Sequence, residues 1–380
     1  MMEKIKQRKI SNPLAGSIAI FIAVVLFFGI RLAGALELFD WMGEASSWIV
    51  NGVLVQFVSI FLAPVLIYMF LSKRKPKEML GTLGFKKTHK KVILYSILGG
   101  VAMFFGVMVL SIFFQYTLAA IGYSDPFRRG EPIELWWVLL LTVLVTAIMP
   151  ALCEEVLTRG VLMNSQRAYG IKKVIIISAV VFALMHFNIN QVFYALLVGL
   201  FLATITHISK SIWPAIIMHF ISNFFATLFG YLHYNEYFGK QLFEFFEWAL
   251  LGNPFLAFVN GAIILATAIV IIAFVTGKIF LISKDEQVKK KLKTMAANHE
   301  EAYEGEIYVK MKDEVIAEFN PAKLRESGKV LDYLLESYRE DSQLKKETWR
   351  KERLAQVFLF GALFLSGAMT IATLVWGLFI

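Results

Sequence analysis

The feature that most constrains this chain is a succession of long apolar runs separated by short polar loops. The runs lie at roughly residues 13–36, 48–71, 92–121, 135–163, 174–187, 191–207, 213–232, 254–282 and 355–379. A helix needs about 20 apolar residues to cross the hydrocarbon core of a bilayer. Because lipid cannot satisfy backbone polar groups, only helices and closed barrels span it. The sequence therefore predicts an all-α polytopic membrane protein with about eight core transmembrane helices and a C-terminal span.

Composition supports a membrane protein and excludes several other classes. Hydrophobic residues make up 58% of the chain, and the mean hydropathy is +0.63. The single cysteine, Cys153, excludes a disulfide framework and a cysteine-based zinc site. The net charge of +9 lies outside residues 284–354, where 16 basic and 16 acidic residues cancel. A basic excess confined to membrane loops indicates contact with anionic lipid headgroups and no nucleic-acid partner.

The distribution of Lys and Arg among the loops predicts an orientation in the cell membrane. If the N-terminus is cytoplasmic, the short inside loops hold 16 basic residues and the outside loops hold 3. Basic residues are retained on the cytoplasmic side of membrane proteins. We therefore expect the N-terminus and residues 284–354 in the cytoplasm and the C-terminus outside.

The charged residues 284–354 separate the last two apolar runs. Apolar and polar residues alternate from Ile307 to Phe319, which predicts a small β-hairpin, and helical patterns flank it. The chain is thus expected to comprise a multi-span domain (1–283), a small cytoplasmic α+β insert (284–354) and a C-terminal transmembrane helix (355–380). The insert is either a solvated connector or a docking module.

Polar and ionisable residues recur inside three of the apolar runs. The motifs are Glu154-Glu155-x-x-x-Arg159, Phe182-x-x-x-His186 and His219-x-x-x-Asn223. An ionisable side chain in hydrocarbon is costly unless it is paired or functional. These residues are therefore the candidate functional site.

Helical spacing separates the two glutamates. Glu155 and Arg159 are four residues apart, so they share a helix face and can form an ion pair. Glu154 points about 100° away from that face. A carboxylate in a membrane stays charged only when its surroundings favour the charged form. A nearby metal or histidine would do this for Glu154.

A carboxylate, two imidazoles and an amide indicate water activation. Glu154 can take a proton from water, and Asn223 can stabilise an oxyanion. His186 and His219 either hold a zinc ion or orient the water directly. If Glu154 joined them as a ligand, the set would be a known catalytic zinc geometry, and Glu154 would not be free to act as the base. The pattern leaves both alternatives open.

The three motifs, in this order, resemble those of the CPBP family of CAAX prenyl endopeptidases and bacteriocin-processing (Abi) intramembrane proteases. They read Glu-Glu-Val-Leu-Thr-Arg, Phe-Ala-Leu-Met-His and His-Phe-Ile-Ser-Asn. The likeness covers about residues 48–232. It implies an all-helical, multi-pass hydrolase whose site opens to the cytoplasmic half of the membrane.

The resemblance also implies roles for individual residues. It makes Glu154, His186, His219 and Asn223 catalytic, with Glu155 and Arg159 in support. The family is usually described as a metalloprotease family, although a metal-free glutamate mechanism has been argued. A Zn²⁺ ion held by His186, His219 and Glu154 is therefore one implied alternative. The implied substrates are prenylated tails, leader peptides and other membrane-associated peptides.

A second hypothesis is a non-proteolytic membrane scaffold that regulates a partner membrane or cell-envelope enzyme. Three segments that peptide hydrolysis does not need motivate it: the insert 284–354, the aromatic segment 236–250 and the C-terminal span. Segment 236–250 mixes aromatic and acidic residues, which is typical of a helix lying in the membrane interface. In this hypothesis the polar site would be only structural.

Overall fold

The computed structural model describes residues 12–125, 136–234, 240–297, 307–311, 314–319 and 353–379. In these ranges the protein is a bundle of membrane-length helices. Within these ranges, eight helices are long and apolar enough to cross a membrane. The predicted all-α polytopic membrane fold is therefore confirmed.

The helices follow one another with short connections. In chain order they are α1 (Pro13–Ala35), α2 (Glu44–Val53, Leu54–Leu62 and Ala63–Leu71), α3 (Pro76–Thr82), α4 (Lys90–Ala120), α5 (Trp136–Val143, Leu144–Ile148, Met149–Glu155, Val156–Leu162 and Met163–Ser165), α6 (Ile171–Leu184), α7 (Ile189–Ser209), α8 (Trp213–Tyr234), α9 (Lys240–Glu247, then Trp248–Gly252), α10 (Pro254–Ala297) and α11 (Arg353–Phe379). Single 3₁₀ turns lie at Asp40–Met42 and Arg167–Tyr169.

Helices α2 and α5 contain π-helical stretches. They lie at Leu54–Leu62 in α2 and at Leu144–Ile148 and Val156–Leu162 in α5. A π-helical stretch is rare and frequently marks a functional site. Each of these three stretches carries a residue that holds part of the site.

The fifth apolar run differs from the prediction. It forms α6, which has only 14 residues and rises about 21 Å, less than the hydrocarbon core of about 30 Å. The helix ends before Phe187, whose φ is 50°. Asn188 then begins α7 by accepting a hydrogen bond from the backbone N–H of Asn190 at 2.9 Å. His186 therefore lies in the turn between two helices, and the described chain has one span fewer than predicted.

The central helix is α5. Leu157 and Leu162 pack with Ile20 of α1 in one apolar cluster, and Val156 packs with Tyr68 of α2 in another. Helices in lipid gain little from the hydrophobic effect when they associate. Dispersion contacts within these two clusters and hydrogen bonds between helices therefore hold the bundle together.

Glycines let the neighbouring helices approach closely. A Cβ on Gly199 of α7 would lie 2.9 Å from Cα of Ala179 in α6. A Cβ on Gly100 of α4 would lie 2.7 Å from Cβ of Ile221 in α8. Small residues at such crossings are typical of membrane helices. They bring α7 close to α6 and α4 close to α8.

The C-terminal helix α11 braces the turn between α6 and α7. The backbone N–H of Ile189 donates to Oγ1 of Thr373 in α11 at 3.1 Å. On another side of the turn, the ring of Phe187 lies 4.7 Å from the ring of Phe27 in α1. Two helices that are distant in sequence thus hold the turn that carries His186.

Helix α10 continues beyond the predicted span into the charged insert. Strands β1 (Ile307–Met311) and β2 (Glu314–Phe319) pair antiparallel, with a register irregularity between Val309 and Lys310. The rest of the insert lies outside the described residues. Its α+β character, the three-part division of the chain and the cytoplasmic location therefore stay predictions.

Most of the aromatic segment 236–250 lies in α9, which is helical as predicted. The ring of Phe246 lies 5.9 Å from Phe105 of α4 and 5.8 Å from Phe229 of α8, whereas Trp248 is exposed. One face of α9 thus packs on the bundle. Its place at the outer membrane surface stays a prediction.

Candidate active site

The predicted ion pair between Glu155 and Arg159 is present at the centre of the bundle. Nη1 of Arg159 donates to Oε1 of Glu155 at 2.9 Å, and both side chains are buried. Nη2 donates to the carbonyl oxygen of Gly199 at 2.9 Å, and the guanidinium carbon lies 4.6 Å from the ring centroid of Phe182. These contacts stabilise a charge that would otherwise be expensive to bury.

His219 joins this pair from α8. Its Nδ1 lies 3.1 Å from Oε1 of Glu155. An ionised carboxylate can only accept hydrogen bonds, so we assign the proton to Nδ1, which then donates. This leaves Nε2 free for other chemistry. Carboxylates orient catalytic and metal-binding histidines in this way.

His186 is oriented by the end of its own helix. Its Nδ1 lies 2.8 Å from the carbonyl oxygen of Phe182. The last carbonyls of a helix lack intrahelical partners, and the backbone N–H of His186 donates to Ala183 instead. Because a carbonyl only accepts, we assign the proton to Nδ1. Nε2 therefore carries the lone pair.

The ring of Phe182 contacts both imidazoles. Its centroid lies 5.2 Å from that of His186 and 5.6 Å from that of His219, both in edge-on contact. The structure thus places His186, His219, Glu155 and Arg159 around one aromatic ring.

Glu154 has a different partner from the one expected. Its Oε1 accepts a hydrogen bond from Nε2 of Gln56 in α2 at 2.9 Å. Among the residues that the structure describes, no hydrogen bond joins Glu154 to His186 or His219. Glu154 keeps 8% exposure, whereas Glu155 has 0%. Of the two neighbouring glutamates, only Glu154 keeps any exposed surface.

Asn223 lies one helical turn after His219 and is half-buried. Its Nδ2 donates to the carbonyl oxygen of Thr146 at 3.2 Å. The hydroxyl of Thr146 lies 2.7 Å from that of Thr227. An amide has two N–H donors, so one remains after the contact with Thr146. No contact joins Asn223 directly to Glu154 in the described part of the chain.

The donor geometry does not favour a metal centre. Within the described ranges, no three His, Cys, Asp or Glu side chains are grouped so that they could hold a metal ion. The expected ligands His186, His219 and Glu154 are not grouped in this way. Zinc binding by these residues stays a prediction.

Three parts of the site are absent from the sequence motifs. Gln56 is 98 residues from Glu154, and its only signal is an amide within an apolar run. The carbonyls of Thr146 and Gly199 have no signal, because every residue carries a carbonyl. Phe182 belonged to a motif, but its position between the histidines could not be read from spacing.

Fold and site together define a multi-span helical membrane protein with a buried Glu–Arg–His network beside a reachable carboxylate. Residues 135–225 match the family model described as type II CAAX prenyl endopeptidase Rce1-like, which covers roughly a quarter of the 380 residues. This match confirms the resemblance carried by the three motifs and indicates, at family level, a CAAX-type intramembrane protease. No curated protein and no solved structure matches the chain.

Proposed function

We propose that this protein is an intramembrane endopeptidase that hydrolyses membrane-associated peptides with water activated by Glu154. The contrast between the two neighbouring glutamates carries the proposal. Glu155 is bound by Arg159 and His219 and has no exposure, whereas Glu154 keeps 8%. A general base must reach water and accept its proton. The family match over residues 135–225 supports proteolysis as the reaction class.

The reaction begins with proton transfer from water to Glu154. The hydrogen bond from Gln56 to Oε1 holds the carboxylate and leaves Oε2 to face the water. The lone pair on Nε2 of His186 accepts a second hydrogen bond from the same water. The water oxygen then attacks the carbonyl carbon of the scissile peptide, forming a tetrahedral intermediate.

The oxyanion of this intermediate needs donors that are already in place. His219, which Glu155 orients through Nδ1 at 3.1 Å, supplies one in the form that carries a proton on Nε2. The second N–H of Asn223 supplies another. Glu154 finally returns the proton to the leaving amine, so the base is regenerated.

Substrate choice follows from the family description. The matching family is described as type II CAAX prenyl endopeptidase, so a prenylated C-terminal peptide is the first substrate to test. Leader peptides and unmodified membrane-associated peptides are the alternatives.

Cleavage by the Glu154→Gln variant in proteoliposomes tests the proposal. We expect a loss of about 10²–10⁴-fold in rate, because glutamine cannot accept the proton, while the protein stays folded. The matched control is Glu78→Gln on the short α3, an exposed glutamate outside the site, which should cleave like wild type. Undiminished cleavage by Glu154→Gln would contradict the proposal.

Metal content tests the zinc prediction separately. Stoichiometric zinc that is lost in His186→Ala and His219→Ala, together with inhibition by a chelator, would require a metal-dependent mechanism. Cleavage that survives chelation and still depends on Glu154 would favour the carboxylate mechanism.

A further inference from the structure

A polar cavity lies at the ends of α5, α6 and α7. Its volume is about 40 Å³, so it suits a small group and not a drug-sized ligand. Its walls come from residues 81–86, 159–171 and 206–211. Apart from Arg159, none of the residues assigned to hydrolysis lines it.

The cavity is strongly basic. Its lining includes four cationic residues and no acidic one, and the cations are Lys86, Arg159, Arg167 and Lys210. Positive charges around a concave space with low-dielectric walls raise the local concentration of anions. The charge alone therefore favours an anionic occupant.

Three polar atoms of lining residues lack a hydrogen-bond partner within the described residues. They are Nε of Arg159, Oγ1 of Thr206 and Nε2 of His207. Arg159 has 1% exposure and His207 has 7%. Buried polar groups are almost always satisfied, so such atoms require an explanation. Unpaired polar atoms on three residues that line a basic cavity are consistent with an anion that has several acceptor oxygens.

We propose that this cavity binds a phosphate group. Phosphate presents several acceptor oxygens and pairs favourably with Arg and Lys. Arg167, which is exposed, and Lys210 stand at helix ends, and Thr206, His207 and Arg159 lie deeper. Lipid headgroups lie at the level of helix ends, and basic pockets between membrane helices bind phospholipid headgroups. Free phosphate offers the same chemistry.

Occupation of the cavity need not disturb the ion pair in the site. Nη1 of Arg159 is bonded to Glu155, and Nη2 is bonded to Gly199. Nε of the same guanidinium has no hydrogen-bond partner among the described residues, so it is the donor that remains unused. A guanidinium can serve both sides because its donors form a fixed planar fork.

Binding to the full-length protein in detergent tests the proposal. One arm measures retention of dioleoyl phosphatidylglycerol against dioleoylglycerol, which lacks the phosphate, by native mass spectrometry. The other arm titrates sodium phosphate at ionic strength matched with sodium chloride. The variants are the double change Arg167→Gln with Lys210→Gln and, separately, Thr206→Val. Lys77→Gln, an exposed lysine of α3 outside the cavity, is the control.

We expect the double variant to weaken binding by about tenfold or more, and Thr206→Val to weaken it by about threefold to tenfold. Lys77→Gln should bind like wild type. If the cavity variants weaken binding only in the lipid arm, the site binds a lipid headgroup. If they weaken binding in the phosphate arm, the site binds free phosphate. Equal binding by the double variant and Lys77→Gln would overturn the proposal. Unchanged binding by Thr206→Val would also overturn it, because general surface charge would then suffice.

Discussion

The helices that match the protease family and the helices that surround them are built differently. In α5 to α8, charged and polar side chains are buried together, as in the contacts of Arg159 with Glu155 and Gly199. The surrounding α1 and α4 meet their neighbours through small residues, such as Ala15 and Ala19 of α1 and Gly100 of α4. The first group combines buried hydrogen bonds with close packing, as at Gly199 and Ala179, whereas the contacts named for the second group are close packing.

The difference between the two groups of helices arises because lipid, and not water, surrounds them. Lipid offers polar groups no alternative partners, so a buried ion pair such as that within α5 depends on the contacts that neighbouring helices supply, as the carbonyl of Gly199 does for Arg159. Apolar helices are as well solvated by lipid as by protein, so they associate through close packing. Substitutions in the two groups should therefore lower the stability of the protein for different reasons.

The largest expected effect is in the matched helices. Arg159→Met removes one partner of a fully buried pair and leaves the Glu155 carboxylate without its cation. We expect a loss of about 3–5 kcal/mol in the free energy of unfolding, measured by denaturant titration in mixed micelles.

Lys278→Met on α10 is the matched control from the surrounding helices. Lys278 lies 5.4 Å from the ring centroid of Phe274, a contact worth about 0.5–1 kcal/mol at an exposed site. If both variants lost the same stability, buried ionic contacts would not distinguish the two groups of helices.

A pair of glycine substitutions sharpens the comparison of packing. Gly199→Ala places a methyl group 2.9 Å from Cα of Ala179, so α6 and α7 must move apart, at about 1–3 kcal/mol. Gly367→Ala on α11 has nothing within 4 Å of the added methyl and should stabilise the helix or leave it unchanged. Thermal unfolding followed by circular dichroism compares the two. If Gly367→Ala were also destabilised, the close contact between helices would not be the cause of the lost stability in Gly199→Ala.

The sequence predicted most helices and one of the site's contacts because those depend on local spacing. Apolar runs give the membrane helices, and the four-residue separation of Glu155 and Arg159 gives their ion pair. Local spacing placed His186 inside the run 174–187, and it could not reveal that α6 ends at Leu184 and leaves His186 in the turn before α7. It also could not reveal Gln56, whose contact with Glu154 depends on how α2 packs against α5.

Gln56→Leu tests whether the surrounding helices also serve catalysis. Gln56 lies on α2, outside residues 135–225, yet it donates to Glu154. Without this donor the carboxylate is less well oriented, and we expect kcat to fall about tenfold, equivalent to about 1.4 kcal/mol, with KM little changed.

Gln115→Leu on α4 is the control, because Gln115 is exposed and bonds only to Ser111 of its own helix. Equal kinetics for Gln56→Leu and the control would confine catalysis to the matched helices.

The smallest expected effect is at α11. Thr373→Val removes the acceptor for the backbone N–H of Ile189 while keeping the side-chain shape. The loss should be about 1 kcal/mol, with faster hydrogen exchange at the turn between α6 and α7. Unaltered exchange there would mean that α11 does not brace the turn.

The contact between Thr373 and Ile189 also has a consequence for biosynthesis. Helix α11 leaves the ribosome long after α6 and α7, because the N-terminal parts of a chain are made first. The turn that carries His186 therefore lacks its hydrogen bond to Thr373 until α11 has been made and inserted. A chain still being translated would hold its histidine loosely, so hydrolytic competence would arise only once synthesis has passed Thr373.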